Sequence, residues 1–93
     1  MDKFYRDDMK PVSFQYNAAP GSKVFVSGAF NRWNPTQYMM SDALGNGVFK
    51  TVIELERGTY EYKFVVNGIW HTDPNCNEKV PNEYGTQNSV ITV

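Results

Sequence analysis

From Val12 to Tyr16 apolar and polar side chains alternate strictly, with Val12, Phe14 and Tyr16 set against Ser13 and Gln15. A period of two puts the three apolar groups on one side of an extended chain, the mark of a half-buried strand. The same period returns at Tyr60, Tyr62, Phe64 and Val66, while Glu61, Lys63 and Val65 point the other way. Lys23 to Ser27 and Val48 to Leu55 are denser β-branched and aromatic runs, and Ser89 to Val93 closes the chain in the same manner. Tyr38-Met39-Met40 adds a short edge segment.

Turn chemistry separates these runs. Pro20 and Gly21 break the chain after the first strand, and Pro35 closes off regular structure in the loop Asn31 to Thr36. Ser41 to Gly47 and Arg57-Gly58 read as further turns. Asn67-Gly68 is the strongest hairpin signal, because both residue types tolerate the positive φ of a type I′ turn. Thr72 to Thr86 is rich in Asn, Pro and Asp and reads as one long irregular loop, the kind of segment that often carries function.

Many short strands without a helical period predict an all-β fold, a sandwich of two antiparallel sheets. Its expected core is Phe14, Val24, Val26, Phe49 or Val52, Ile53, Tyr62, Phe64, Ile91 and Val93. At 93 residues the chain suffices for one domain, read as residues 10–93, preceded by a loose polar arm over residues 1–9.

Composition narrows the function. A net charge of −1 with scattered Lys and Arg gives no basic stripe, which argues against a nucleic-acid partner. No apolar run reaches the length of a membrane span, and the mixed-charge start lacks the apolar stretch of a signal peptide. Cys76 is alone, so no internal disulfide forms, and a reducing, cytoplasmic setting is expected. His71, Asp73, Cys76 and Glu78 crowd one loop but match no zinc spacing, so neither a metal nor a cofactor is expected. Nucleophile-elbow and phosphate-loop motifs are missing. Glu54, Glu56, Glu61 and Glu83 remain open individually as glycosidase carboxylates, although a domain this small has little room for a deep cleft. An enzyme is therefore not expected.

The candidate chemistry lies in two tryptophans, Trp33 and Trp70, each just past a turn. A tryptophan in a sandwich is often a core anchor. Two of them beside turns, flanked by Asn, Lys, Thr and Gln, favour exposure and a flat, polar ligand such as a sugar. The apolar face of a pyranose presents C–H groups that suit the electron-rich face of an indole. Lys63, facing away from the core, is read either as an ordinary solvated lysine or as a donor to hydroxyls beside the rings. Thr86 and Asn88 either mark the start of the last strand or offer donors and acceptors to adjacent hydroxyls. Tyr84 could wedge beside a sugar chain.

Four segments in order carry a resemblance. They are Val24-Phe25-Val26-Ser27-Gly28-Ala29-Phe30-Asn31-Arg32-Trp33, Tyr60 to Trp70, Asp73-Pro74, and Gly85-Thr86-Gln87-Asn88-Ser89-Val90-Ile91. From about Lys10 to Val93 the chain resembles the family-48 carbohydrate-binding modules, which include the glycogen-binding domains of AMP-activated protein kinase β-subunits. The resemblance implies an immunoglobulin-like sandwich of the early-set type that binds α-1,4-linked glucans: glycogen, starch or maltooligosaccharides. It implies stacking by Trp33 and Trp70, with Lys63, Thr86 and Asn88 as polar contacts. Two departures stand out. Tyr84 replaces an aliphatic residue of the kinase members, and Arg32 stands where Asn is common. A competing expectation is an interaction module that packs against a glycan-active enzyme or a kinase subunit and has lost its sugar site. The presence of both tryptophans, Lys63 and Asn88 weighs against it.

Overall fold

The computed structural model describes residues 9–93. The proposed arm therefore lies outside the described residues except for Met9, which already belongs to the first strand. Eight strands follow: β1 (Met9–Asn17), β2 (Val24–Gly28), β3 (Tyr38–Met39), β4 (Val48–Glu56), β5 (Thr59–Val66), β6 (Ile69–His71), β7 (Lys79–Pro81) and β8 (Gln87–Thr92). A 3₁₀ turn, Ala29–Asn31, follows β2.

Two antiparallel sheets form the expected all-β sandwich. One is the pair β1–β4, in register from Met9 opposite Glu56 to Asn17 opposite Val48. The other runs β3-β2-β5-β8-β7, with β6 also paired to β5. Along one edge of β5, β8 covers the first half and β6 the second, so the two lie end to end. Thr72 ties them where they meet, its hydroxyl donating to the Gln87 carbonyl at 3.0 Å.

The period-two pattern sets the core. Val12 and Phe14 of β1 and Phe49, Ile53 and Leu55 of β4 face Val24 and Val26 of β2 and Tyr62 and Phe64 of β5. Phe14 meets Tyr62 edge-on at 5.1 Å, and Tyr16 meets Phe64 at 5.0 Å. Such pairs add about 0.5–1.5 kcal/mol to the gain from burial.

Three expectations need correction, and one open alternative is resolved. The segment Thr72–Thr86 is not one irregular loop, because β7 lies within it and pairs with β8. Pro81 is tolerated there because β7 is at the sheet's edge, where a missing N–H costs no ladder bond. Phe49 takes the core position and Val52, on the outer side of β4, is 61% exposed. Met40 and Leu55 join the core, whereas Ile91 and Val93 are only partly buried at its margin.

The outer side of β5 positions the site. Lys63 and Val65 point away from the core, yet both are buried, Lys63 at 7% exposure. Side chains from the segment after β2, from the neighbouring strand β6 and from the β7–β8 turn gather over this face.

Candidate functional site

Trp70 reaches the outer face of β5 through a short hairpin. Asn67 and Gly68 both take positive φ (50° and 85°), as the Asn-Gly signal predicts. The hairpin is held to the start of β2, where the Asn67 N–H donates to the Lys23 carbonyl at 2.8 Å and the Lys23 N–H donates to Asn67 Oδ1 at 2.9 Å. Its return strand sets Trp70 directly across from Val65. As a directly opposed pair the two side chains share one face of the sheet, and Trp70 leaves 41% of its surface open.

Trp33 arrives by a costlier route. After the 3₁₀ turn, Arg32 and Trp33 are both left-handed (φ 57° and 61°), a region that costs a non-glycine residue about 1–2 kcal/mol. Buried Asn31 offsets this strain: its Oδ1 accepts the Gly28 N–H at 3.0 Å and its Nδ2 donates to the Asn34 carbonyl at 3.1 Å. The Trp33 N–H closes the turn on the Gly28 carbonyl at 2.9 Å. The half-buried ring comes to rest 6.2 Å from Trp70, with the two planes inclined at 56°.

The polar wall beside the rings comes from β5, β8 and the turn before β8. Thr86 and Asn88 share one side of the chain by the period of two, and that side continues the Glu61–Lys63 face of β5. Lys63 Nζ donates to Thr86 Oγ1 at 3.1 Å, and Asn88 Nδ2 donates to Glu61 Oε1 at 2.9 Å. Tyr84, 82% exposed, stands at the tip of the turn. A hydrogen bond to the Glu83 carboxylate, and that group's charge, hold the phenol above its ordinary value, so it is a neutral donor at physiological pH.

All six residues singled out from the sequence line one groove of about 770 Å³. Glu61, Asn82 and Glu83 line it as well. The volume lies within the range of small-molecule sites. Lys63, however, is not a solvated lysine. Neighbouring side chains enclose it, and among the described residues its ammonium has one hydrogen-bond partner, Thr86.

Asn82 is the site residue that the sequence reading missed. Its Oδ1 accepts the backbone N–H groups of Tyr84 (2.9 Å) and Thr86 (3.1 Å), and its Nδ2 donates to Thr86 Oγ1 (2.7 Å) and Asn88 Oδ1 (2.9 Å). An Asn ahead of a Gly in a turn segment was the available signal, since asparagine oxygens commonly bond backbone two residues on.

The acidic and thiol groups of the 71–78 segment go elsewhere. His71 packs against the Tyr16 ring at 6.0 Å, and the Cys76 thiol donates to the Val90 carbonyl at 3.2 Å. Asp73 accepts the Tyr62 hydroxyl at 2.6 Å, and its own N–H donates to Ser89 Oγ at 3.0 Å, pinning the segment to β5 and β8. Among the described residues no group of three or more His, Cys, Asp or Glu could hold a metal ion, and no helix is long and apolar enough to cross a membrane.

The groove can hold a flat molecule with an apolar face and a polar rim. A family model described as the glycogen recognition site of AMP-activated protein kinase matches residues 10–93. The kinase's β-1 subunit from Sus scrofa is 32% identical over 84 residues, 90% of this chain and 64% of that one. The Homo sapiens β-1 subunit is 32% identical over 84 residues, covering 90% of this chain and 29% of that one. The Mus musculus β-2 subunit is 34% identical over 73 residues, with coverage of 78% and 26%. The chain thus spans less than two thirds of the length of each of these relatives.

Proposed function

The chain belongs to the family of glycogen-recognition modules of AMP-activated protein kinase, and on that premise we propose that it is a non-catalytic module that binds α-1,4-linked glucans. Trp33 and Trp70 form the stacking platform, Lys63, Thr86 and Asn88 bond sugar hydroxyls, and Tyr84 forms one wall. The observation that carries this reading is the pair of indoles 6.2 Å apart and inclined at 56°, set beside those polar groups. Two rings at that angle cannot lie under one flat ribbon. They suit a chain whose successive sugars turn, which an α-1,4 glucan does and a β-1,4 glucan does not. Stacking supplies the apolar gain and the wall supplies orientation.

Electrophoresis through a native gel containing glycogen tests the reading. Migration should be retarded relative to a glycogen-free gel, and unchanged mobility overturns it. Incubation with maltoheptaose should release no reducing sugar, as expected of a binding module without chemistry of its own.

A protein partner is a second part of the proposal. The relatives are named as subunits of a kinase, and a kinase subunit or a glycan-active enzyme is the partner we infer, acting in the cytoplasm.

A further inference from the structure

The hydrogen bonds on the groove wall have a direction, and one side chain sets it. Only an oxygen can accept from the two backbone N–H groups of Tyr84 and Thr86, which fixes which end of the Asn82 amide is which. Its Nδ2 is thereby turned to the wall, and both of its hydrogens are used, one by Thr86 Oγ1 and one by Asn88 Oδ1. Thr86 Oγ1 also receives Lys63 Nζ. A hydroxyl has two acceptor lone pairs and one proton. With both lone pairs engaged, the Thr86 proton must point away from Asn82 and Lys63, and so is left for a ligand or solvent. Asn88 has its oxygen engaged as well, and its Nδ2 gives one hydrogen to Glu61 and, among the described residues, retains the other. Among the described residues Lys63 retains two of its three.

We propose that Asn82 is a positioning residue that polarises this wall, so that Lys63, Thr86 and Asn88 all present hydrogen-bond donors to a ligand whose oxygens accept. The proposal rests on the sugar-binding reading of the groove and adds to it which partner donates. On this side the glycan's hydroxyl oxygens are acceptors, and its own O–H protons are directed elsewhere, to Glu61 or to solvent.

Asn82→Asp separates this role from a merely structural one. The variant keeps an oxygen for the Tyr84 and Thr86 amides, and so keeps the turn, but it replaces the donating NH₂ by a second acceptor. The Thr86 proton is then drawn back to position 82, and Asn88 loses the donor that holds its oxygen. Calorimetric titration with maltoheptaose should show binding at least about tenfold weaker than the parent, the equivalent of one ordinary hydrogen bond. Binding within about twofold of the parent overturns the proposal, because a residue that only held the turn would be replaced without loss. Side-chain amide exchange in the free, unsubstituted protein provides a test that needs neither ligand nor variant. The Asn82 NH₂ protons should exchange at least about tenfold more slowly than those of exposed Asn77, and equal rates overturn the proposal whether or not the variant folds. A parent that fails to bind maltoheptaose would sink the sugar-binding reading and this inference with it. Parity between parent and variant would sink this inference alone.

Discussion

Truncating Trp70 to alanine separates binding from folding. The side chain leaves 41% of its surface open. For a residue type able to bury 150–250 Å², that is roughly 100 Å² offered to a ligand. Covering all of it would contribute about 2.5 kcal/mol at about 25 cal/mol/Å². A pyranose stacks on one face of the ring, so about half of that, close to 1.3 kcal/mol, is the least expected. Trp70→Ala should therefore weaken maltoheptaose binding by about tenfold at minimum and by about seventyfold at most. The fold loses stability too: the covered remainder of the side chain, roughly 90–150 Å², contributes about 2–4 kcal/mol at the same coefficient, a fall in Tm of about 10–25 °C that leaves the domain folded at 25 °C, where the titration is made. Isothermal titration reads the first effect and differential scanning calorimetry the second. Leu44→Ala, on a turn away from the groove and 84% exposed, is the control that should change neither. A folded Trp70→Ala variant that titrates within twofold of the parent would refute the stacking argument.

Three further outcomes follow from the same geometry. Lys63→Met should weaken glucan binding about tenfold while leaving Tm unchanged or higher, because it removes a buried ammonium and Thr86 keeps Asn82 as a partner; thermal denaturation with titration checks both, and a fall in Tm of several degrees would contradict it. Gly28→Ala should cost about 1–3 kcal/mol and weaken binding as well, since its Cβ would meet the Glu61 carbonyl and approach Tyr62 Cβ to 2.8 Å at the root of the Trp33 turn; urea melts and titration measure the two losses. Tyr62 is held far above its ordinary value by burial, then by the hydrogen bond and charge of Asp73. The unfolded chain ionises it near pH 10 and the folded one does not, so its contribution is full below about pH 10 and is lost above it at up to about 1.4 kcal/mol per pH unit. Tyr62→Phe should reduce that alkaline slope in urea melts and, by orphaning Asp73 Oδ2, cost about 1–3 kcal/mol at neutral pH.

The parts of this structure that sequence could disclose are those governed by local period. The Val12–Tyr16 and Tyr60–Val66 alternations name their inward faces because a strand has only two sides, and Asn67-Gly68 names its turn because few residue types accept its dihedrals. Burial on the outer face of β5 was not legible, since it depends on side chains brought together from three separate segments. Lys63 and Glu61 sit on the same side of one strand, yet the first is enclosed and the second exposed. The strand β7 was hidden by its brevity and by Pro81, which argues against a strand everywhere but at an edge. Asn82 escaped notice because an Asn ahead of a Gly signals only a turn, whereas its part in the site follows from which end of its amide faces which neighbour.

The most direct measurement is a titration of ¹⁵N-labelled protein with maltoheptaose and, separately, with cellohexaose, followed at the indole N–H resonances of Trp33 and Trp70. Both resonances should move together and saturate with maltoheptaose, and neither should move appreciably at the same concentrations of cellohexaose. Indole signals that stay still with the α-linked sugar, or respond equally to both, would contradict an inclined tryptophan platform built for a turning glucan chain.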